Sequence, residues 1–252
     1  MPPTAYPTPA ARAIALLLLA AVSAAVFYWN GPLFALLNGH PTRTADRLFG
    51  LVSGLGDGLV AVVLILTAAL YRARLGLAAL AAFLLSGLLA QLLKRWFDLP
   101  RPPALFDHLH LLGAPLFGHS FPSGHATTDG VMATASLLFW RRRPVVSAAA
   151  ALLFLLAAVG RVYGGVHFPR DVWAGLLLGV ASMLLCHRAA QRWPVPRWQH
   201  GRWWRPGLTL LLAASAGVLG LGYRIQPTTA QPLALLIPTA ALYLLARRWR
   251  RA

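Results

Sequence analysis

Three short stretches of this chain concentrate groups that can grip an anion or move a proton. "KRWFDLPRP" sets Lys94 seven residues before Arg101. "GHSFPSGHATTDG" carries Ser123, Gly124, His125 and Asp129. "GRVYGGVHFPRD" carries Arg161, His167 and Asp171. Two cations held at the exit of an apolar segment suit an anion, most simply a phosphate. Ser123 is a good helix N-cap and Gly124 admits close backbone approach, so the free N–H groups of a helix starting there form an anion cradle. His167 and Asp171 are spaced i, i+4, and a helix starting near Pro169 brings carboxylate to imidazole. Such a pair fixes the tautomer and leaves the second ring nitrogen as nucleophile or base. His125 and Asp129 have the same spacing, so residue chemistry alone leaves two candidate pairs. Taken singly, each stretch has an ordinary reading: interfacial cations, a helix cap, a structural His–Asp contact. Taken together they supply what phosphoryl transfer asks for, namely charge neutralisation, an in-line nucleophile and a proton donor, with no call for a metal or cofactor.

The elements that must position these groups are written in the composition. The chain has 252 residues, 58% of them hydrophobic and 12% charged, with a mean hydropathy of +0.62. A soluble domain cannot solvate such a surface, so the class is an all-α integral membrane protein. Eight apolar segments stand out, centred on 11–29, 56–71, 75–93, 124–140, 144–160, 171–187, 207–223 and 230–246. Between the first two, "TADRLFGLV" sets Ala45, Leu48, Phe49 and Val52 on one helical face, the pattern of a short interfacial helix.

The formal net charge of +17 would suit nucleic acid if the basic residues formed one patch. Instead they sit in short clusters between apolar runs, the pattern of membrane topology. Arg72 and Arg74, Arg141–Arg143, the series from Arg188 to Arg205, and Arg247, Arg248, Arg250 and Arg251 occupy alternate loops. The positive-inside preference then places both termini in the cytoplasm of a bacterial-type plasma membrane. All three chemical stretches, and every aspartate, fall on the opposite, outer side. "RWPVPRWQHGRWWRPG" (192–207) reads as a basic, aromatic interfacial loop rather than a nucleic-acid site. Residues 1–25 admit a second reading as a cleavable signal peptide; the run continuing to an aromatic collar at Tyr28 and Trp29 favours a retained anchor. The lone Cys186 permits no intramolecular disulfide.

With these residues in view, the chain resembles the type 2 phosphatidic acid phosphatases, membrane relatives of bacterial class A acid phosphatases and vanadium haloperoxidases. Their pattern, Lys-x6-Arg-Pro, Pro-Ser-Gly-His and Ser-Arg-x5-His-x3-Asp, is met by Lys94 with Arg101-Pro102, by Pro122-Ser123-Gly124-His125, and by Arg161, His167 and Asp171. Gly160 departs from it, standing where the family usually has serine. The resemblance implies that His167 attacks phosphorus with Asp171 orienting it. His125 protonates the leaving oxygen and later activates water, while Lys94, Arg101, Ser123, Gly124 and Arg161 hold the phosphate. It also implies a six-helix catalytic core, here residues 1–190; the basic aromatic loop at 191–206 and the two further spans with a basic tail at 207–252 read as additions to that core.

The expected substrate is an amphiphile with its phosphate at the interface: a polyprenyl diphosphate such as the undecaprenyl carrier first, then phosphatidylglycerophosphate or phosphatidate, then a lipid A phosphate. Transfer to an acceptor other than water is open, and so is a non-enzymatic lipid-binding or transport role. Against transport, the chain lacks the paired Gly/Pro-broken spans of inverted-repeat transporters. Asp129, about 9 Å along the helix from Ser123, is an acid shallow in the bilayer, functional by default or else the cap of a polar cavity. His108, His110 and His119 sit in the long outer loop 103–121, where a His-x-His element has no evident third ligand; that loop is expected to shape headgroup selection.

Overall fold

The computed structural model describes residues 8–250. The first seven residues of the alternative leader, and Arg251 of the basic tail, lie outside the described residues. Helix α1 (Pro9–Tyr28) opens with the Thr8 hydroxyl accepting from Ala11 N at 3.2 Å and proline in its first turn. After one break at Trp29 the chain continues as α2 (Asn30–Asn38), a helix with no counterpart in the sequence reading. Then come α3 (Arg43–Ser53), α4 (Gly58–Tyr71), α5 (Ala73–Phe97), α6 (Gly124–Phe139), α7 (Pro144–Tyr163), α8 (Pro169–Ala190), α9 (Val195–His200), α10 (Trp204–Leu221) and α11 (Leu233–Trp249). Among the described residues there are no strands.

Each of the eight apolar segments carries a helix. Six are long and apolar enough to cross a membrane on length and composition, and α3 with α4 makes a seventh if that pair, bent by 62°, is one broken span. The central α6 is shorter, at 16 residues. Helix α3 lies where the interfacial segment was expected, with two differences. Leu48 faces outward, 49% exposed, whereas Val52 is buried and Phe49 packs on Tyr163 with ring centroids 4.7 Å apart. A 3-10 turn, Gly54–Gly56, then leads straight into α4, where Asp57 Oδ1 caps the helix by accepting from Leu59 N at 2.9 Å and Val60 N at 3.3 Å.

Helix α6 is the axis of the bundle, packed against α5, α7 and α8. Its approach to α8 is set by small residues, because in lipid there is little hydrophobic drive and packing rests on close backbone contact. A Cβ on Gly179 would meet Val131 N at 2.8 Å and run into the Thr127 carbonyl; one on Gly175 would meet Ser123 O at 2.5 Å and Thr127 N at 3.1 Å. Those two glycines, four residues apart, let the second and third turns of α8 lie against the first two turns of α6. The meeting is fixed by Ser123 N donating to Asp171 O at 2.9 Å.

The C-terminal pair, α10 and α11, packs on α4 and on itself, with Leu212, Leu219, Ile225 and Ala234 buried against Val60, Val63 and Leu70. Tyr223 OH donates to Asp57 Oδ2 at 2.9 Å. Burial, then the neighbouring Asp57 charge, push Tyr223 up to about 12, so it stays a donor. The basic loop 192–207 is largely helical: it contains α9 and the start of α10.

Candidate active site

Four segments converge at one end of α6: the exit of α5, the loop 98–123, the loop 164–168 and the first turn of α8. Helix α5 stops at Asp98, which adopts a left-handed φ of 38°. Across from it His119, with φ 53°, places its Nδ1 2.9 Å from Asp98 Oδ1. These two non-glycine residues in the left-handed region face each other beside Lys94, whose Nζ donates to His119 O at 2.7 Å. Lys94 is buried and lies alongside the α6 N-terminus, its Cε 4.0 Å from where a Cβ on Gly124 would stand. Ser123 Oγ caps α6 by accepting from Ala126 N at 3.4 Å.

Arg101 reaches across to the loop before α8. Its Nε donates to Gly118 O at 2.9 Å, and one terminal nitrogen lies 3.3 Å from Val166 O and 3.1 Å from His167 Nε2. A guanidinium can only donate. His167 Nε2 therefore carries the lone pair and Nδ1 carries the proton. That proton faces the Asp171 carboxylate, with Nδ1 3.6 Å from Oδ2, and the Ser120 hydroxyl, 3.5 Å away. The His167 loop is closed from beneath by the Arg161 carbonyl, which accepts from Val166 N at 3.2 Å and His167 N at 3.3 Å. Burial, reinforced by the charges of Arg101 and Arg161 and opposed by Asp171, lowers His167 to about 3, so the ring is neutral at physiological pH.

Asp171 is fully buried. Its Oδ2 accepts from Ser120 Oγ at 2.5 Å and from Phe168 N at 3.0 Å, while Arg170 Nε lies 3.7 Å from Oδ1. Ser120 is absent from the residues that sequence reasoning singled out, although it belongs to the "GHSFPSGHATTDG" stretch. Its contact spans 51 residues and has no local signature.

The second His/Asp pair is not formed. Both oxygens of Asp129 are buried and without hydrogen-bond partners, as is His125 Nε2. The carboxylate packs under the turn before α4, 2.8 Å from where a Cβ on Gly56 would stand, and within electrostatic reach of Arg161. His125 itself lies within electrostatic reach of Arg161, His167, Arg101 and Lys94. The eight residues proposed from sequence, Lys94, Arg101, Ser123, Gly124, His125, Arg161, His167 and Asp171, are thus drawn to one place by these contacts and by the joint between α6 and α8.

Gly160 has a steric reason. A Cβ there would fall on Ser53 Oγ of α3 and come within 3.2 Å of Phe49 O. A buried hydroxyl without a hydrogen-bond partner, from another helix, therefore occupies the space a side chain at 160 would need. The loop histidines are also resolved. His110 Nε2 sits 2.8 Å from Asp46 Oδ1, and its backbone N donates to Asn38 Oδ1 at 3.2 Å. Asn38 Nδ2 in turn donates to His110 O and to Tyr163 O, at 2.7 and 2.8 Å. His110 and His119 engage different aspartates, and among the described residues no three metal-ligating side chains cluster.

Three cations, the positive end of a helix and a neutral imidazole backed by a carboxylate are suited to an oxyanion with several equatorial oxygens.

Comparison with known proteins agrees. The family model for the PAP2 superfamily matches residues 75–194. The chain is 40% identical over 129 residues to a lipid A 1-phosphatase of Rhizobium johnstonii, a match covering 46% of this chain and 48% of the relative. It thus spans about half the length of that curated relative. It is 27% identical over 154 residues to an undecaprenyl-diphosphatase of Sulfolobus acidocaldarius, covering 60% of this chain and 73% of the relative. Among solved structures it is similar to Aquifex aeolicus LpxE, with 31% identity, a TM-score of 0.59, and coverage of 63% of this chain and 94% of that one. That breadth of coverage, together with the motif residues gathered around one helix end, establishes the family: the chain belongs to the PAP2 superfamily.

Proposed function

We propose that this protein is a membrane lipid phosphatase that removes phosphate from an amphiphile through a phosphohistidine on His167. The observation that carries the reading is the Arg101 guanidinium 3.1 Å from His167 Nε2. It fixes the reactive lone pair on the nitrogen that faces the cations, while Nδ1 faces Asp171 Oδ2 at 3.6 Å. A substrate phosphate entering among Lys94, Arg101, Arg161 and the N–H groups at Ser123–Gly124 displaces the Arg101 contact and meets that lone pair. Nε2 then forms the bond to phosphorus as the bond to the leaving oxygen breaks. His125 gives its proton to that oxygen. In the second half, His125 takes a proton from water, the water oxygen bonds to phosphorus and the N–P bond breaks, returning neutral His167 and inorganic phosphate.

Residues 1–190 serve as the catalytic core in this reading, with α10 and α11 buttressing α4. The site opens on the outer face, as the distribution of arginines favours. For the substrate, the sequence reading put a polyprenyl diphosphate first. The 40% identity to a lipid A 1-phosphatase, against 27% to an undecaprenyl-diphosphatase, moves a lipid A-type 1-phosphate ahead of it.

The test is phosphate release by purified protein in EDTA across lipid A 1-phosphate, undecaprenyl diphosphate, phosphatidylglycerophosphate and phosphatidate. His167→Ala is expected to release none, and full activity in that variant excludes the assigned nucleophile. With a labelled diphosphate, whose leaving group needs little help, His125→Asn is expected to accumulate acid-labile, base-stable label on the protein. Lipid flux in liposomes without any phosphate release would favour the transport reading instead.

A further inference from the structure

The end of the bundle remote from the phosphate site holds a second cation-lined hollow. A cavity of about 820 Å³ opens between the ends of α4, α5, α6 and α8 and the short α9. Arg72, Arg74, Arg141 and Arg188 line it, together with His187, whose buried Nδ1 has no hydrogen-bond partner. The chain has six acidic residues in all, and none of them lines this cavity. Four arginines therefore line one hollow with no carboxylate in its walls; Arg74 is half-buried, and Arg72, Arg141 and Arg188 are exposed. Arg72 is partly spoken for, donating to Leu138 O at 3.3 Å and lying 4.9 Å from the Phe139 ring centre.

Basic residues at this end of a membrane protein need no ligand when they only set topology, since they then extend into water. Here they also line a cavity, and that cavity adjoins a hollow among the apolar helices. Tyr71, Arg72 and Leu75 are shared with a second hollow of about 620 Å³ whose walls are overwhelmingly apolar, including Ala135 of α6 and Phe154 of α7. A water-soluble anion would use the first compartment and leave the second to lipid tails. One molecule fills both: an amphiphile with an anionic head and hydrocarbon chains. Like charges gathered around one hollow repel, and an anion bound there offsets Arg74, Arg141 and Arg188 together. Cationic pockets between helices at the inner face are a recognised way of holding anionic lipid headgroups.

We propose that this cavity and groove form a binding site for an anionic phospholipid of the leaflet opposite the phosphate site, its phosphate among Arg74, Arg141 and Arg188 and one chain along the groove. By charge distribution that leaflet is the cytoplasmic one. The proposal does not depend on the activity assigned above.

It is tested with the full chain in phosphatidylcholine nanodiscs with and without phosphatidylglycerol, reading the thermal unfolding midpoint, and by native mass spectrometry of the detergent-purified protein. Phosphatidylglycerol is expected to raise the midpoint, in a salt-sensitive way, and to stay bound through purification where phosphatidylcholine is lost. Arg141→Gln/Arg188→Gln should abolish the difference between the two lipids, and Arg141→Lys/Arg188→Lys should retain most of it. Ala135→Phe, which fills the groove and leaves the cations in place, should weaken lipid retention at least several-fold. That variant carries the test if the glutamine pair fails to fold. Equal effects of the two lipids on the wild type, retention unchanged in the glutamine pair or in Ala135→Phe, or glycerol phosphate stabilising as well as the lipid would each overturn the proposal.

Discussion

Removing the Ser120 hydroxyl separates the joint at the proposed nucleophile, His167, from the rest of the site. Ser120 Oγ donates to Asp171 Oδ2 at 2.5 Å and stands 3.5 Å from His167 Nδ1. In Ser120→Ala the fully buried Asp171 keeps one backbone donor to that oxygen, Phe168 N at 3.0 Å. A hydrogen bond to a charged group contributes about 1.5–3 kcal/mol. If that loss is felt in the transition state, where the imidazole acquires positive charge and leans on Asp171, kcat/KM falls roughly 10- to 150-fold at about 1.4 kcal/mol per tenfold. The loss should appear in kcat more than in KM, because Ser120 lies behind His167 and away from the cations. The assay is phosphate release under steady-state conditions beside a thermal melt of the same preparation. Ser120→Thr should recover much of the rate, since the hydroxyl is restored. A Ser120→Ala enzyme with wild-type kcat/KM would refute the claim that this hydroxyl holds the Asp171–His167 pair. So would a loss confined to KM.

Other expectations follow from the same contacts. Gly179→Ala should lower stability by about 1–3 kcal/mol as an overpacked contact and reduce activity with it. The new Cβ meets α6 backbone, 2.8 Å from Val131 N, which cannot turn aside; an unchanged melting temperature would contradict the packing argument. Gly160→Ser, although it restores the family residue, should destabilise the protein because it falls on Ser53 Oγ. Ser53→Gly/Gly160→Ser should recover most of that loss, as measured by the melts of the single and double variants. His167 is lowered by burial to about 3, below its unfolded value of about 6.5. The unfolded chain therefore binds this proton first as pH falls, so stability is lost progressively between about 6.5 and 3. Chemical-shift titration of the labelled ring should show it neutral down to about pH 4, and protonation near 6.5 would break the burial argument.

Sequence by itself determined the membrane class, the helical segments and the list of candidate site residues. Those signals are local: an apolar run long enough to span, Lys94 and Arg101 on either side of one helix end, and His167 one turn from Asp171. It left His125–Asp129 and His167–Asp171 equivalent, because spacing along a helix cannot say which pair is in contact. Tertiary structure decided that. Asp129 packs under Gly56 with no partner, while Asp171 gathers Ser120 and Phe168 N at the mouth of α8. It also decided what rests on contacts between distant segments: the glycine joint between α6 and α8, the Asn38 bridge to His110 and Tyr163, Ser53 in the space beside Gly160, and Tyr223 tied to Asp57. Each depends on where two helices cross, and a crossing is fixed by packing of the whole bundle rather than by any stretch of residues read alone.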